Sequence, residues 1–208
     1  EITTRLVGSE MCIRDSTVPY FPVWMLREDG APIPARSLPG GYAFDFYRPE
    51  TGKDDWVTVQ LSSRQLETRA QAESLFDSEF MNRAEALSQR MLFVRDAAGT
   101  PVASAALWFG SPFGAEIDRI HWVATDEAHQ RRGLCGAMLC ELLKRHEALG
   151  TPGGVYLISQ TFSYPAIRIY QRFGFRRLLT RCPAEYHLDA PFAETAARAW
   201  AIIDEKLR

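Results

Sequence analysis

Residues 116–149 read EIDRIHWVATDEAHQRRGLCGAMLCELLKRHEAL, and the fold turns on how this stretch is parsed. Residues 116–125 read as a strand, along which period two puts His121, Val123 and Thr125 on one face. From 134 to 149, Leu134, Met138, Leu142 and His146 recur on one stripe with Leu139 and Leu143 beside it, the pattern of a helix with one buried face. The loop between them, 126–133, carries the chemistry. A strand entering a helix through a short loop leaves the first helical amides without intrahelical partners, and Gly133 and Gly136 let a ligand come close to that backbone. The amides and the helix dipole favour an anion, and Arg131 and Arg132 place positive charge at the same end, so a phosphate is the natural guest. Taken alone, the loop fits equally well an ordinary helix start flanked by two solvated arginines. No GK[ST] follows and no GxGxxG is present, so neither a nucleoside-triphosphate nor a dinucleotide fold is supported.

The flanking segments extend the alternation of strands and helices. Downstream, Gly150-Thr151-Pro152-Gly153-Gly154 stops the helix. Residues 155–160 read as a strand, 165–173 as a helix ended by Gly174, and 175–180 as the start of another strand. Residues 193–207 carry a helical stripe of Ala196, Trp200, Ile203 and Leu207. Upstream, 91–95 and 102–109 flank a turn and predict an antiparallel hairpin. Residues 66–89, free of Pro and Gly, predict one helix, or two broken near Asp77. A short helix opens before them at Asp54 and Asp55. Tyr42, Phe44 and Phe46 alternate along 41–47, which predicts the first core strand. Residues 17–40 hold five prolines and read as an extended lead-in with one edge strand at 23–26.

Composition bounds the function classes. The 208 residues are 46% hydrophobic and 24% charged, enough for a real core in one compact domain. The 24 basic and 26 acidic side chains give a net charge of -2, which argues against a disordered tail and a generally basic nucleic-acid binder. The longest apolar run, 102–109, is far short of the roughly 18 to 20 residues that cross a bilayer, so no membrane partner is expected. Cys12, Cys135, Cys140 and Cys182 form no CxxC pair or zinc spacing, and His121, His129, His146 and His187 share no ligand spacing. No metal is expected, and a reducing, cytoplasmic setting is the simplest reading. Residues 6–16, LVGSEMCIRDS, resemble a translated sequencing-library adapter, so 1–16 are set aside as non-native.

Two stretches carry a family resemblance. Gln130-Arg131-Arg132-Gly133-Leu134-Cys135-Gly136-Ala137 resembles the Q/R-x-x-G-x-G/A loop of the GNAT superfamily of N-acyltransferases, with Cys135 where the family usually has Gly or Ala. Ser163-Tyr164-Pro165-Ala166-Ile167-Arg168-Ile169-Tyr170-Gln171-Arg172-Phe173-Gly174-Phe175 resembles its second signature, N-x-x-A-x-x-x-Y-x-x-x-G-F, with Ser163 in place of Asn. The order of elements over 41–180 is similar as well. His121-Trp122 and Trp108-Phe109-Gly110 resemble a bacterial subgroup. The resemblance implies an α/β fold over 41–190, with a central, mostly antiparallel mixed sheet whose two splayed strands make a slot, flanked by helices. The helix over 191–208 then packs on the body or on a second subunit as a homodimer.

The resemblance also implies acetyl-CoA as donor and a small-molecule or peptide amine as acceptor. The pyrophosphate would be held by the loop amides and charges of Gln130, Arg131, Arg132, Gly133, Leu134, Cys135, Gly136 and Ala137. The pantetheine arm would pair with Val123, Ala124 and Thr125, and the second signature adds Ser163 and Ala166 to the cofactor side. Acetyl transfer needs one proton taken from the attacking amine and one given to the departing thiolate. Tyr170 is the expected acid. His121 is the expected base, since period two places it on one face with Val123 and Thr125 and imidazole titrates near neutrality. Glu116 is a fallback carboxylate, whereas Asp118 should face away. Two other functions remain open: a non-catalytic acyl-CoA sensor, and a nucleic-acid module using Arg168, Arg172, Arg176, Arg177 and Arg181. The whole-chain charge favours a solvated arginine face without nucleic acid as partner.

Overall fold

The computed structural model describes residues 18–208; the reading of 1–16 lies outside the described residues. The strands are β1 (Pro22–Arg27), β2 (Ala43–Phe46), β3 (Met91–Arg95), β4 (Pro101–Gly110), β5 (Ile117–Thr125), β6 (Val155–Gln160) and β7 (Arg176–Arg177). The helices are α1 (Gly52–Ser62), α2 (Arg69–Phe80), α3 (Leu87–Arg90), α4 (Leu134–Leu149), α5 (Tyr164–Arg172) and α6 (Phe192–Lys206). The seven strands follow the hydrogen-bonded order β2-β3-β4-β5-β6-β1-β7. β1 pairs antiparallel with β6 and β7, β3 pairs antiparallel with β2 and β4, and β5 pairs parallel with β6. This is the mixed α/β sheet that the alternation predicts. No described helix is long and apolar enough to cross a membrane.

The described chain forms two compact units whose boundary falls within β4, β5 and α4. The first holds Ala35–Leu107 and Trp122–Leu142. Asp54 and Asp55 sit in the first turn of α1, where they complement the helix dipole. That helix buries Trp56, Val57 and Val59. Burial overrides the weak helix preference of the two valines. The Trp56 ring meets Phe76 at 5.4 Å, Phe80 at 5.8 Å and Trp122 at 5.4 Å, each edge to face. Such pairs add to the area that large aromatic side chains bury. α2 ends at Phe80 rather than near Asp77. A 3-10 segment, Met81–Ala86, follows and buries none of its residues, and Arg83 takes a non-helical φ of -139°. Once no apolar face remains to bury, packing no longer sustains the helix.

Two strand expectations are corrected. β2, expected as the first core strand, is the terminal strand of the sheet, paired with β3 alone, and it is half buried, as its period-two pattern predicts. The 23–26 strand, expected at an edge, lies between β6 and β7. Its run Val23-Trp24-Met25 is buried throughout, as suits a strand covered on both faces. Pro22 opens it, where a missing N–H does little harm.

The second unit comprises 18–34, Trp108–His121 and Leu143–Arg208. α6 lays Phe192 and Ala196 against Trp24, Ile117 and Tyr156, so the C-terminal helix packs on its own chain. β7 is two residues long rather than spanning 175–180, with one further bond from Leu178 N–H to the Trp24 carbonyl at 3.0 Å. The parallel ladder joins Asp118, Arg119 and Ile120 to Val155, Tyr156 and Leu157. Two residues past it, Trp122 takes a φ of +48°. A bulky residue in the left-handed region costs about 1–3 kcal/mol and persists only where packing holds it; the Trp56 ring supplies such packing.

Candidate functional site

In the first unit, the loop from β5 to α4 is built by local chain chemistry. Asp126 accepts a hydrogen bond from the Ala128 amide at 2.8 Å, closing a short 3-10 turn over Glu127–His129. The Asp126 amide is anchored on the Val102 carbonyl at 2.8 Å. Arg131 and Gly133 take φ values of +59° and +85°. No atom lies within 4 Å of the position a Gly133 Cβ would occupy, so the backbone there is open to a ligand. The first helical bond runs from the Ala137 amide to the Gly133 carbonyl at 3.1 Å. Leu134, Cys135, Gly136 and Ala137 thus form the first turn of α4, at the end that the helix dipole makes positive. The Leu134 and Ala137 side chains are buried in the core. Open glycine, first-turn amides and positive charge together fit a diphosphate.

Side chains around this loop hold it in place. Arg132 donates to the Tyr42 hydroxyl and to the Ala128 carbonyl, each at 3.0 Å. Tyr42 Oη is also 2.8 Å from His129 Nδ1, with the two rings edge to face. Arg132 is thus a fixed charge and Arg131 an exposed one. Gln130 Nε2 donates to the Thr125 carbonyl at 3.3 Å, and Gln65 Nε2 donates to the Val123 carbonyl at 2.9 Å. A carbonyl has a second lone pair, so both remain able to accept from a ligand. The Ala124 side chain is buried. Tyr42, His129 and Gln65 escaped the sequence reading, because Tyr42 lies 87 residues from His129 and Gln65 lies 58 from Val123.

In the second unit, His121 is half buried on the same side of β5 as Arg119, while Asp118 and Ile120 point into the core. Asp118 is fully buried and lies 2.7 Å from His146 Nδ1. His146 Nε2 meets Asp29 Oδ1 at 3.0 Å, and Asp29 also accepts from the Gly153 amide at 2.9 Å. The Asp118 hydrogen bond, opposed by burial and aided by Asp29, holds the His146 pKa above its ordinary 6.5. The His146 hydrogen bond lowers that of Asp29. Asp118 is therefore committed to an internal ion pair and faces away from His121, as alternation predicts; Glu116 is exposed just before β5.

Tyr170 is 7% exposed on α5, its ring edge to face with Phe175 at 6.1 Å. The Phe175 amide donates to the Tyr170 carbonyl at 3.1 Å. Ser163 occupies the N-cap of α5 but its side chain makes no cap bond, and Pro sits in the first turn. Ser163 and Ala166 are half buried. The turn after α5 is held by the buried Arg27, which donates to the Phe173 carbonyl at 3.0 Å and to the Ala31 carbonyl. The five arginines from 168 to 181 are all exposed. Two are engaged: Arg177 pairs with both oxygens of Asp204, and Arg181 lies 3.8 Å over the Phe113 ring. Among the described residues no group of His, Cys, Asp and Glu could hold a metal ion, and Cys135, Cys140 and Cys182 form no disulfide.

No curated protein matches the sequence. The structure of a GCN5-related N-acetyltransferase from Sphaerobacter thermophilus superposes with a TM-score of 0.61 at 20% identity, over 76% of this chain and 49% of that one. An acetyltransferase from the GNAT family of Colwellia psychrerythraea gives 0.59 at 10% identity, over 77% and 54%. A putative GNAT acetyltransferase from Novosphingobium aromaticivorans gives 0.51 at 19%, over 77% and 61%. This chain thus spans about half the length of the first two. At these identities the likeness establishes the fold. The model of the acetyltransferase (GNAT) family matches residues 56–175, from α1 through the turn after α5, more than half of the 208 residues. The span takes in both the glycine-led helix start and Tyr170, and the chain belongs to the GNAT family of acetyltransferases.

Proposed function

We propose that this protein is an acetyl-CoA-dependent N-acetyltransferase that moves the acetyl group to a primary amine by direct attack. The observation that carries the proposal is the open start of α4. Gly133 is left-handed with no atom within 4 Å of its Cβ position, and the exposed Arg131 and Arg132 stand directly before it. Arg131, Arg132 and the amides of Gly133, Leu134, Cys135, Gly136 and Ala137 are the groups that would hold the diphosphate. Val123, Ala124 and Thr125 would pair with the pantetheine arm, and Gln130, Ser163 and Ala166 would line the cofactor side. The thioester supplies an acyl group already activated for attack.

The chain's own residues then have two tasks. His121 accepts the proton from the amine, directly or through a water. Tyr170 supplies a proton to the departing sulfur. Cys135 is small and offers its amide, with no nucleophilic role needed. Steady-state thiol release and calorimetry with CoA test this together. Tyr170→Phe should lower kcat by about 10²-fold, within the usual range for a positioned acid, and leave CoA affinity unchanged. Unchanged kcat removes Tyr170 from the mechanism. Tight CoA binding with no transfer to any amine would favour an acyl-CoA sensor.

A further inference from the structure

Tyr156 on β6 is 2% exposed, and its hydroxyl donates to Glu185 Oε1 at 2.9 Å. Trp24 stacks on the ring at 6.2 Å with 4° between planes, and the Arg119 guanidinium lies 5.7 Å from its centroid. Arg119 is the register partner of Tyr156 in the parallel ladder. Two charged groups of this cluster each bury a polar atom that finds no hydrogen-bond partner: Glu185 Oε2, an acceptor, and Arg119 Nε, a donor. Unmet buried acceptors and donors are costly, most of all on charged groups. The complement to the pair is a ligand that brings an ammonium to Glu185 and a carboxylate to Arg119.

Arg119 and His121 share a face of β5 and are two residues apart, about 7 Å along the strand. An ammonium gripped by a carboxylate keeps its proton and cannot attack, so a second amine must react. Building on the reading of His121 as base, we infer that Arg119, Tyr156 and Glu185 hold the α-carboxylate and α-ammonium of a diamino acid, whose side-chain amine is presented to His121. A four-carbon side chain spans about 6 Å from α-carbon to terminal nitrogen, which matches that step along the strand. The terminal nitrogen's lone pair forms the N–C bond and the C–S bond breaks with its electrons on sulfur. His121 takes the N–H proton and Tyr170 returns one to the thiolate. Glu185 lies on residues 178–191, between β7 and α6, a segment without helix or strand that is tied by the Ala184 amide to the Pro112 carbonyl at 2.8 Å. Entry requires this segment to lift.

The test uses the whole chain with acetyl-CoA and three probes: lysine, cadaverine, which lacks the carboxylate, and 6-aminohexanoate, which lacks the α-amine. Lysine should exceed both in kcat/KM by at least tenfold. Glu185→Gln should raise KM for lysine at least tenfold with kcat kept, and shrink its advantage over 6-aminohexanoate below threefold. Tyr156→Phe, which keeps the ring, is the second variant should Glu185→Gln fail to fold. Equal rates for the three probes, or equal losses for all in the variant, overturn the inference while leaving the acetyltransferase reading intact. Where no amine releases thiol, calorimetry of lysine without acetyl-CoA decides: tenfold weaker binding in Glu185→Gln sustains the site, and no binding to the unaltered protein overturns it.

Discussion

At Gly110 the want of a side chain sets where a buried phenol can lie. A Cβ there would stand 1.7 Å from the Tyr156 hydroxyl and 2.6 Å from its Cζ. Gly110→Ala should therefore displace Tyr156 and its bond to Glu185, lowering stability by about 1–3 kcal/mol as overpacking does. Urea denaturation reads this, and adding Tyr156→Phe should recover part of the loss; an unchanged midpoint would mean that the two do not meet. The same scale shows what a local reading can and cannot see. Tyr170 and His121 were nameable from motif and alternation. Glu185 was not, because its partner Tyr156 is 29 residues away and no periodicity links them.

At the scale of the element, helix starts were the most legible feature. α4 begins and ends where its apolar stripe and the following glycines place it. α2 begins after Thr68, whose side chain accepts from the Gln71 amide at 3.2 Å. Thr68→Ala should lower stability by about 0.5–2 kcal/mol, and Thr68→Ser should keep most of it; equal urea midpoints for all three proteins would refute the cap. Strand position was less legible than strand existence. Alternation located β2 and a short apolar run located β1, but neither placed its strand correctly in the sheet. Whether a strand lies inside or at an edge depends on partners that come from elsewhere in the chain, here β6 and β7 on either side of β1.

For the whole molecule, the ion pairs around His146 set a pH response. The folded pKa of His146 is raised above 6.5, so its contribution is fully present below that value and is lost as pH rises through the higher folded one. Asp29 acts in the opposite sense: with its folded pKa below 3.8, its contribution is present above 3.8 and is lost as pH falls through the lower value. Thermal midpoints should therefore be highest between about 4 and 6.5 and fall on the alkaline side, with a slope of at most about 1.4 kcal/mol per pH unit from one titrating imidazole. His146→Gln should flatten that alkaline limb. A limb that stays equally steep would assign it to another group.

By itself the sequence determined the alternation of strands and helices, the glycine-led loop before α4 and the family to which both signatures point. These are local, since periodicity, helix starts and turn residues act within a few positions along the chain. Only the tertiary structure decided the order of strands, the ion pairs of Asp118, His146 and Asp29, and the meeting of Arg119, Tyr156 and Glu185. Each joins residues far apart in sequence, and such contacts are chosen by burial and charge complementarity once the chain has closed on itself.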